Sequence, residues 1–295
     1  MRKLLAVFAA LVTALAVGLA PAGAITKNYV EDFEHPFVGL VVFYDDEGEF
    51  LWRCSGSLLT PTVFLTAGHC TDQDAEESPV TARVYFQQDA GAAYDPATEL
   101  DPVSGYPETC ATGTLGVTCA TSDELYDYGF DDFAGWPNNR DVGLVILDQP
   151  IELSEYGQLA AAGTLDALHE QRRNETVFTV SGYGLSYSSP VAVESFRSRL
   201  MAESRLVNVK GGLNQGFNLQ TGGNGGGRGG TCSGDSGGPV FLGGFTSNLI
   251  VAVTSFGLNA YCRGADFAYR IDTADVLAWI LATVPDSEVD DIEIV

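Results

Sequence analysis

Positions 231–239 read T-C-S-G-D-S-G-G-P and place one hydroxyl nucleophile, Ser236, in a glycine-rich turn. A serine hydroxyl is a weak nucleophile unless a base removes its proton and N–H donors hold the oxyanion that its attack creates. One of the three histidines, His69, follows an apolar run and stands between Gly68 and Cys70. Ser236 and His69 are therefore the candidate nucleophile and base.

The third candidate is Asp141, which opens the apolar run D-V-G-L-V-I-L. A buried carboxylate at this point can accept the Nδ1 proton of a histidine and fix its tautomer. Positions 234–238 also satisfy G-x-S-x-G, the nucleophile elbow of α/β-hydrolases, but in that fold the histidine follows the serine. No histidine follows Ser236, so the chain order His69, Asp141, Ser236 argues against the elbow.

Three motifs carry a resemblance: T-A-G-H-C at 66–70, D-V-G-L-V-I-L at 141–147 and C-S-G-D-S-G-G-P at 232–239. Through them the sequence resembles the trypsin/chymotrypsin-like serine proteases. The resemblance implies an all-β fold of two antiparallel β-barrels with the active site in the cleft between them and a C-terminal helix. It also implies a catalytic triad without a cofactor, and an oxyanion hole formed by the N–H groups of Gly234 and Ser236.

Six cysteines in an exported chain suggest three disulfides, and the sequence alone permits 15 pairings. The resemblance implies a bridge from Cys54 to Cys70 and another from Cys232 to Cys262. Cys110 and Cys119 are then left to bridge each other.

The resemblance extends to activation. In the family, a newly exposed N-terminal ammonium pairs with the aspartate that precedes the nucleophile, which is Asp235 here. Signal cleavage after Ala24 would expose Ile25 and supply that ammonium, although I-T-K-N departs from the family's usual I-V-G-G.

The resemblance also predicts where substrate binds. Ser255, Phe256 and Gly257 match the strand that pairs with the substrate backbone, with Phe256 walling the first specificity pocket. Trypsin has an aspartate at the position of Gly230, and Asp266 on the far wall is its candidate replacement as the partner of Lys or Arg. The sequence therefore predicts trypsin-like or mixed specificity, and a chymotrypsin-like preference for large apolar residues is the alternative.

The segments along the chain agree with this organisation. Residues 1–24 carry Arg2 and Lys3, an apolar run and a small-residue cleavage site, which indicates a secretory signal peptide. Short β-type runs recur at 37–44, 62–65, 80–86, 142–147, 176–181, 240–242 and 249–255. We expect an N-terminal barrel over 25–155 with a long insertion near 88–138, a second barrel over 156–271, a helix over 272–284 and a solvated acidic tail over 285–295.

The net charge of −24 argues against nucleic acid and anionic membranes as partners. We expect a secreted, extracellular monomer that acts on protein or peptide substrates and does not bind a membrane after signal cleavage. Zinc is disfavoured because His35 and His169 stand in no ligand spacing, and the glycine run at 225–230 lacks the βαβ context of a nucleotide site. Calcium in the loop after His69 is also disfavoured; its candidate ligands are Asp72, Asp74, Glu76 and Glu77.

Two other classes of protein remain as alternatives. A catalytically silent relative acting as a binding protein would ordinarily lack a member of the triad, and all three are present. A secreted esterase-type hydrolase can share the triad, but it does not explain the placement of the cysteines.

Overall fold

A computed structural model describes residues 25–90, 110, 119–171, 176–195, 197–223 and 228–295. Seven strands form the first sheet, in the order β6-β5-β2-β3-β4-β8-β7, and they curl into a nearly closed barrel. The strands are β2 (Val38–Tyr44), β3 (Phe50–Leu58), β4 (Val63–Thr66), β5 (Thr81–Tyr85), β6 (Cys119–Ser122), β7 (Glu124–Asp127) and β8 (Gly143–Ile146).

The second sheet has the order β1-β13-β10-β15-β16-β17-β14, and pairing of β13 with β14 closes it into a barrel. A short strand, β9, adds in parallel to β16, and β11 and β12 form a separate hairpin. The strands are β1 (Val30–Glu31), β9 (Gln158–Leu159), β10 (Val177–Gly182), β11 (Tyr187–Ser189), β12 (Ala192–Glu194), β13 (Leu200–Asn208), β14 (Asn218–Gly222), β15 (Pro239–Leu242), β16 (Leu249–Gly257) and β17 (Ala265–Arg270).

The predicted fold class, two antiparallel barrels and a C-terminal helix, is confirmed. Every residue of β2 is buried, because one face fills the barrel and the other is covered by neighbouring structure. The C-terminal helix spans Ala274–Thr283 and buries Val276, Leu277 and Ile280, the apolar face that its sequence predicts. Two shorter helices span Gly68–Thr71 and Thr164–Gln171. No helix in the described part of the chain is long and apolar enough to cross a membrane.

The chain ends hold the two sheets together. Strand β1, at the amino-terminal side of the first barrel, pairs with β13 of the second sheet. At the other end, hydrogen bonds attach the acidic tail to both barrels, although most of its acidic side chains are exposed. The Glu288 carboxylate accepts hydrogen bonds from the hydroxyls of Thr60 and Thr62, and the N–H of Val295 donates to the carbonyl of Leu159 at 2.9 Å.

His35 belongs to a buried polar cluster, in which both of its ring nitrogens have hydrogen-bond partners. Its Nδ1 lies 2.9 Å from both carboxylate oxygens of Asp32, its Nε2 lies 3.2 Å from the carbonyl of Ser247, and both side chains are fully buried. Burial alone would raise the pKa of Asp32, but the hydrogen bond and charge of His35, with Ser181 and Arg199, hold it below its usual value. The cluster therefore fixes the turn that leads into β2.

Three disulfides are present, Cys54–Cys70, Cys110–Cys119 and Cys232–Cys262. The first joins β3 to the short helix that carries His69, and the third joins the nucleophile turn to the loop before β17. The predicted signal peptide at 1–24 lies outside the described residues, as do positions 91–109 and 111–118 of the predicted insertion.

Candidate active site

His69 lies at the end of the first barrel, on the short helix that follows β4. Glycine at the neighbouring position 68 suits a close approach, because a Cβ there would lie 3.0 Å from the backbone nitrogen of Val142 and 3.1 Å from its carbonyl oxygen. This close approach brings the helix directly onto the segment that carries Asp141. The imidazole keeps 27% of its surface exposed, so one edge of the ring faces solvent.

Asp141 is fully buried and is surrounded by hydrogen-bond donors. Its carboxylate accepts the backbone N–H of His69 at 2.8 Å and lies 2.9 and 3.0 Å from His69 Nδ1. The hydroxyl of Ser255 donates to its second oxygen. Since Nδ1 faces a carboxylate, Nδ1 carries the proton, and Nε2 is the basic nitrogen of the neutral ring.

The two groups shift each other's pKa in the directions that suit an ion pair. Burial alone would raise the pKa of Asp141, but the charge and hydrogen bonds of His69, with the Ser255 hydroxyl, outweigh it and hold the pKa low. Burial alone would lower the pKa of His69, but the charge and hydrogen bond of Asp141, with a smaller contribution from Asp72, raise it. The imidazolium is therefore stabilised where it would form in a reaction.

Ser236 lies in a tight turn between β14 and β15, and backbone hydrogen bonds fix the turn. The N–H of Asp235 donates to Cys232 at 2.9 Å, and the N–H of Gly237 donates to Thr254 at 2.7 Å. The carbonyl of Ser236 accepts the N–H of Ser55 from the first barrel at 2.8 Å. The turn is thereby attached to both barrels.

Glycines allow this turn to approach the helix of His69. Gly234 and Gly237 have φ angles of +93° and +76°, in the left-handed region that L side chains rarely adopt. A Cβ on Gly237 would lie 2.1 Å from Thr66 Oγ1 and 2.5 Å from the nitrogen of Ala67. The structure thus brings Ser236 beside the segment 66–69. Within the described residues, no hydrogen bond joins its hydroxyl to His69 Nε2.

The residues of the expected oxyanion hole and activation pair are placed as follows. The N–H groups of Gly234 and Ser236 have no hydrogen-bond acceptor in the described part of the chain. Asp235 is fully buried and accepts the N–H groups of Gly184 and Cys232, each at 2.8 Å. Burial raises the pKa of Asp235 to about 7, against the effect of these bonds. Ile25 is fully buried, and the next residue, Thr26, exchanges backbone hydrogen bonds with Gly230.

A cavity of about 270 Å³ adjoins Ser236. The three residues predicted on the substrate strand, Ser255, Phe256 and Gly257, all line it. Its other lining residues are Thr231, Cys232, Ser233, Thr254, Asn259, Ala260 and Cys262.

Asp266 is not among the residues that line this cavity. It is 95% buried, and its carboxylate accepts the N–H of Thr231, a lining residue, at 2.9 Å. Burial raises its pKa to about 7, and the bonds with Thr231 offset only part of that effect. The carboxylate therefore lies directly behind the pocket wall.

An aromatic wall beside the cleft was missed by sequence reasoning. The rings of Phe130 and His69 are 5.8 Å apart, and Phe133 and Trp136 make edge-on contacts with Phe256 at 5.1 and 5.3 Å. Phe256 in turn stacks on Phe267 at 4.6 Å. The regular spacing of positions 130, 133 and 136 is the signal in the sequence, but it lies inside a stretch interpreted as an irregular insertion.

One group of potential metal ligands in the described residues is close enough to bind an ion: Cys54, His69 and Cys70. Both sulfurs belong to the Cys54–Cys70 disulfide, so neither is a thiolate. In the candidate calcium loop, the carboxylate of Asp72 accepts the N–H of Asp74 at 2.9 Å.

Comparisons with known proteins identify the family of the chain. A family model described as Trypsin matches residues 31–280. Brachyurin from Leptuca pugilator is 27% identical over 229 residues, which cover 75% of this chain and 81% of that protein. Chymotrypsin from Phaedon cochleariae is 28% identical over 238 residues, covering 79% and 72%. Serine protease 7 from Drosophila melanogaster is 25% identical, and the match covers 85% of this chain but 62% of that longer protein, less than two thirds.

Solved structures share the fold at lower identity. A structure named HL collagenase has a TM-score of 0.61 and 18% identity, covering 87% of this chain and 97% of the other. A scabies mite inactivated protease paralogue has a TM-score of 0.58 and 16% identity, covering 90% and 99%. These likenesses concern the fold alone. The family match, however, extends over both barrels and most of the 295 residues, and this chain therefore belongs to the trypsin family.

Proposed function

We propose that this chain is a serine endopeptidase that hydrolyses peptide bonds through Ser236, His69 and Asp141. The observation that carries the proposal is the buried Asp141 carboxylate on His69 Nδ1, at 2.9 Å, next to the turn of Ser236. This contact leaves Nε2 as the base, and it stabilises the imidazolium that forms when Nε2 accepts a proton. A surface histidine has no need of such an arrangement.

The proposed reaction is acyl transfer in two stages. His69 Nε2 removes the proton of the Ser236 hydroxyl as Oγ attacks the substrate carbonyl carbon, and the N–H groups of Gly234 and Ser236 hold the resulting oxyanion. The imidazolium then gives its proton to the departing amine, and an acyl-enzyme ester remains. Water, deprotonated by the same Nε2, attacks the ester, and the proton returns to Ser236 when the carboxylic acid product leaves.

The proposed specificity is for Lys and Arg, or mixed. Asp266 supports this specificity, because its carboxylate accepts the N–H of Thr231, a residue that lines the cavity. The carboxyl becomes an anion near pH 7, which would place a negative charge beside the cavity. The alternative is a preference for large apolar residues. Phe256 in the cavity lining, backed by Phe267, supports that reading.

Activation is proposed to use Ile25. The hydrogen bonds between Thr26 and Gly230 place Ile25 in the second barrel, and its side chain is fully buried there. Asp235 is equally buried, and its raised pKa reflects a carboxylate that burial destabilises in its charged form. An ammonium on Ile25 after cleavage at Ala24 would stabilise that charge and hold the turn of Ser236 in place.

The compartment and partners follow from the same chemistry. Three disulfides suit an oxidising compartment, and with the apolar leader at 1–24 they support secretion. The proposed oligomeric state is a monomer. Substrates are proteins or peptides, the class on which the family acts. A catalytically silent binding protein is the other candidate, and hydrolysis of a peptide amide by the wild-type protein distinguishes the two.

The triad is tested by combined substitutions. Ser236→Ala and His69→Ala should each lower kcat for a peptide amide by about 10⁴-fold or more, and the double variant should be scarcely worse, because the two residues act as one unit. Exposed Glu194→Gln, on the hairpin beside the cleft, is the matched control and should retain activity. The proposal would be contradicted if the fold losses in kcat of the two single variants multiplied in the double variant. It would also be contradicted if the wild-type protein had no activity.

Activation is tested at the amino terminus. Protein secreted in active form should begin at Ile25, and Asp235→Asn should lower kcat/KM about tenfold or more, because an amide cannot pair with the ammonium. N-terminal sequencing and steady-state kinetics measure both. An active enzyme that begins well upstream or downstream of Ile25 refutes this mode of activation without affecting the triad.

The role of Asp266 is tested by the pH dependence of selectivity. Because its pKa is raised to about 7, the carboxyl is neutral below that pH and anionic above it, so kcat/KM for an Arg substrate relative to a Phe substrate should rise between pH 6 and 8. The titration of His69 affects both substrates and cancels in the ratio. Asp266→Asn should abolish the rise, whereas exposed Asp46→Asn should not. If Asp266→Asn shows the same ratio of the two kcat/KM values as the wild type at each pH, the preference for large apolar residues is favoured.

A further inference from the structure

Behind Asp141 lies a buried chain of side-chain hydrogen bonds that the triad does not include. The amide nitrogen of Asn139 donates to the Ser255 hydroxyl oxygen at 3.3 Å, and the amide nitrogen of Asn218 donates to Asn139 Oδ1 at 3.4 Å. Asn218 also donates to the carbonyl of Pro137 at 2.7 Å. Asn139 and Asn218 are fully buried, and Ser255 is 96% buried.

The carbonyl of Pro137 fixes the direction of donation along this series of hydrogen bonds. A carbonyl oxygen only accepts, so the Asn218 side chain must present its nitrogen to it. The same nitrogen then faces Asn139, whose amide must present its oxygen there and its nitrogen to Ser255. The Ser255 oxygen accepts that bond, and its single proton is left for Asp141.

The chain also links the two barrels. Asn139 and Asp141 belong to the loop before β8 of the first sheet, whereas Asn218 and Ser255 lie on β14 and β16 of the second. Each of the bonds from Pro137 to Asp141 therefore joins the loop that carries the carboxylate to the barrel that carries Ser236. The last of these bonds ends on the carboxylate that faces His69.

We infer that Asn139 is a positioning residue of the active site: its amide, oriented by Asn218 and Pro137, fixes the Ser255 hydroxyl as a donor to Asp141. Asn139 is not among the residues that line the cavity beside Ser236, and in the described part of the chain no hydrogen bond joins its side chain to His69, so it acts through Ser255. For catalysis, the inference rests on the proposed function. The predicted change in the pKa of His69 does not rest on the proposed function, because it follows from the hydrogen bonds alone.

The consequence is measurable on His69. When the carboxylate loses a donor, its negative charge is less dispersed and stabilises the imidazolium more strongly, so the pKa of His69 should rise. The other charged group that acts on His69 is Asp72, on its own loop, which these substitutions leave in place. Asp141 and Asp72 are thus the two acidic groups that raise the pKa of His69, and only the environment of Asp141 changes in these variants.

The test is a double-substitution cycle read by NMR titration of the histidine ring nitrogens in the full chain. Asn139→Leu and Ser255→Ala should each raise the titration midpoint of His69 by about half a pH unit, and together no further, because one residue acts through the other. Asn214→Leu, which removes another fully buried amide outside this chain, is the matched control and should not move the midpoint. Where Asn139→Leu fails to fold, Asn139→Ala takes its place.

Kinetics on the same variants separate this inference from the proposed function. Asn139→Leu should lower kcat about five- to tenfold with KM nearly unchanged, and it should move the acid limb of kcat/KM upward together with the NMR midpoint. An unmoved midpoint, or shifts that add in the double variant, overturns the inference even if the enzyme is active. A wild-type protein without Ser236-dependent hydrolysis overturns the proposed function, while the NMR cycle still decides the inference.

Discussion

The site depends on keeping one carboxylate charged while it is removed from water. Asp141 is fully buried, and an isolated buried carboxylate would take up a proton unless donors and a cation compensated for its lost hydration. The backbone and ring of His69 supply donors from the first barrel, and the hydroxyl of Ser255 supplies one from the second. The position of the cleft follows, because these donors meet only where the barrels touch.

The nucleophile turn meets a different constraint, which is steric. The backbone around Ser236 packs closely against both barrels. A Cβ on Gly237 would collide with Thr66 of the first barrel, and one on Gly238 would lie 2.4 Å from the carbonyl of Ser181 on β10 of the second. Glycine removes both clashes and permits the left-handed backbone at Gly237. Gly237 is thus a requirement of the junction between the barrels, and Gly238 is a requirement of close packing within the second barrel.

Much of the fold and the core of the site could be predicted from the sequence, because they rest on local signals. Short apolar runs between turn residues indicated an all-β chain, and three motifs singled out His69, Asp141 and Ser236 in the order that the family uses. The chemistry of these residues is indicated by their own side chains and by the residues next to them in the sequence.

Features that depend on distant contacts could not be predicted in the same way. The acidic tail gave no sign that Glu288 would meet Thr60 and Thr62, since that pairing spans more than 200 positions. Nothing local distinguishes the Asn139 and Asn218 amides from ordinary polar residues until β14 lies against the loop before β8. Asp266 was predicted on the far wall of the pocket, but its hydrogen bond with the N–H of Thr231, behind the lining residues, is set by the tertiary structure.

The most direct measurement of the central claim is the reaction of the mature protein with a serine-directed organophosphorus reagent, mapped by mass spectrometry across pH. A single adduct on Ser236 is predicted, formed at a rate that falls as His69 takes up a proton, with a midpoint above the ordinary histidine value of about 6.5 because Asp141 raises the pKa of His69. His69→Ala should abolish the adduct. Modification of another residue, or a rate on Ser236 that does not depend on His69, would contradict the account.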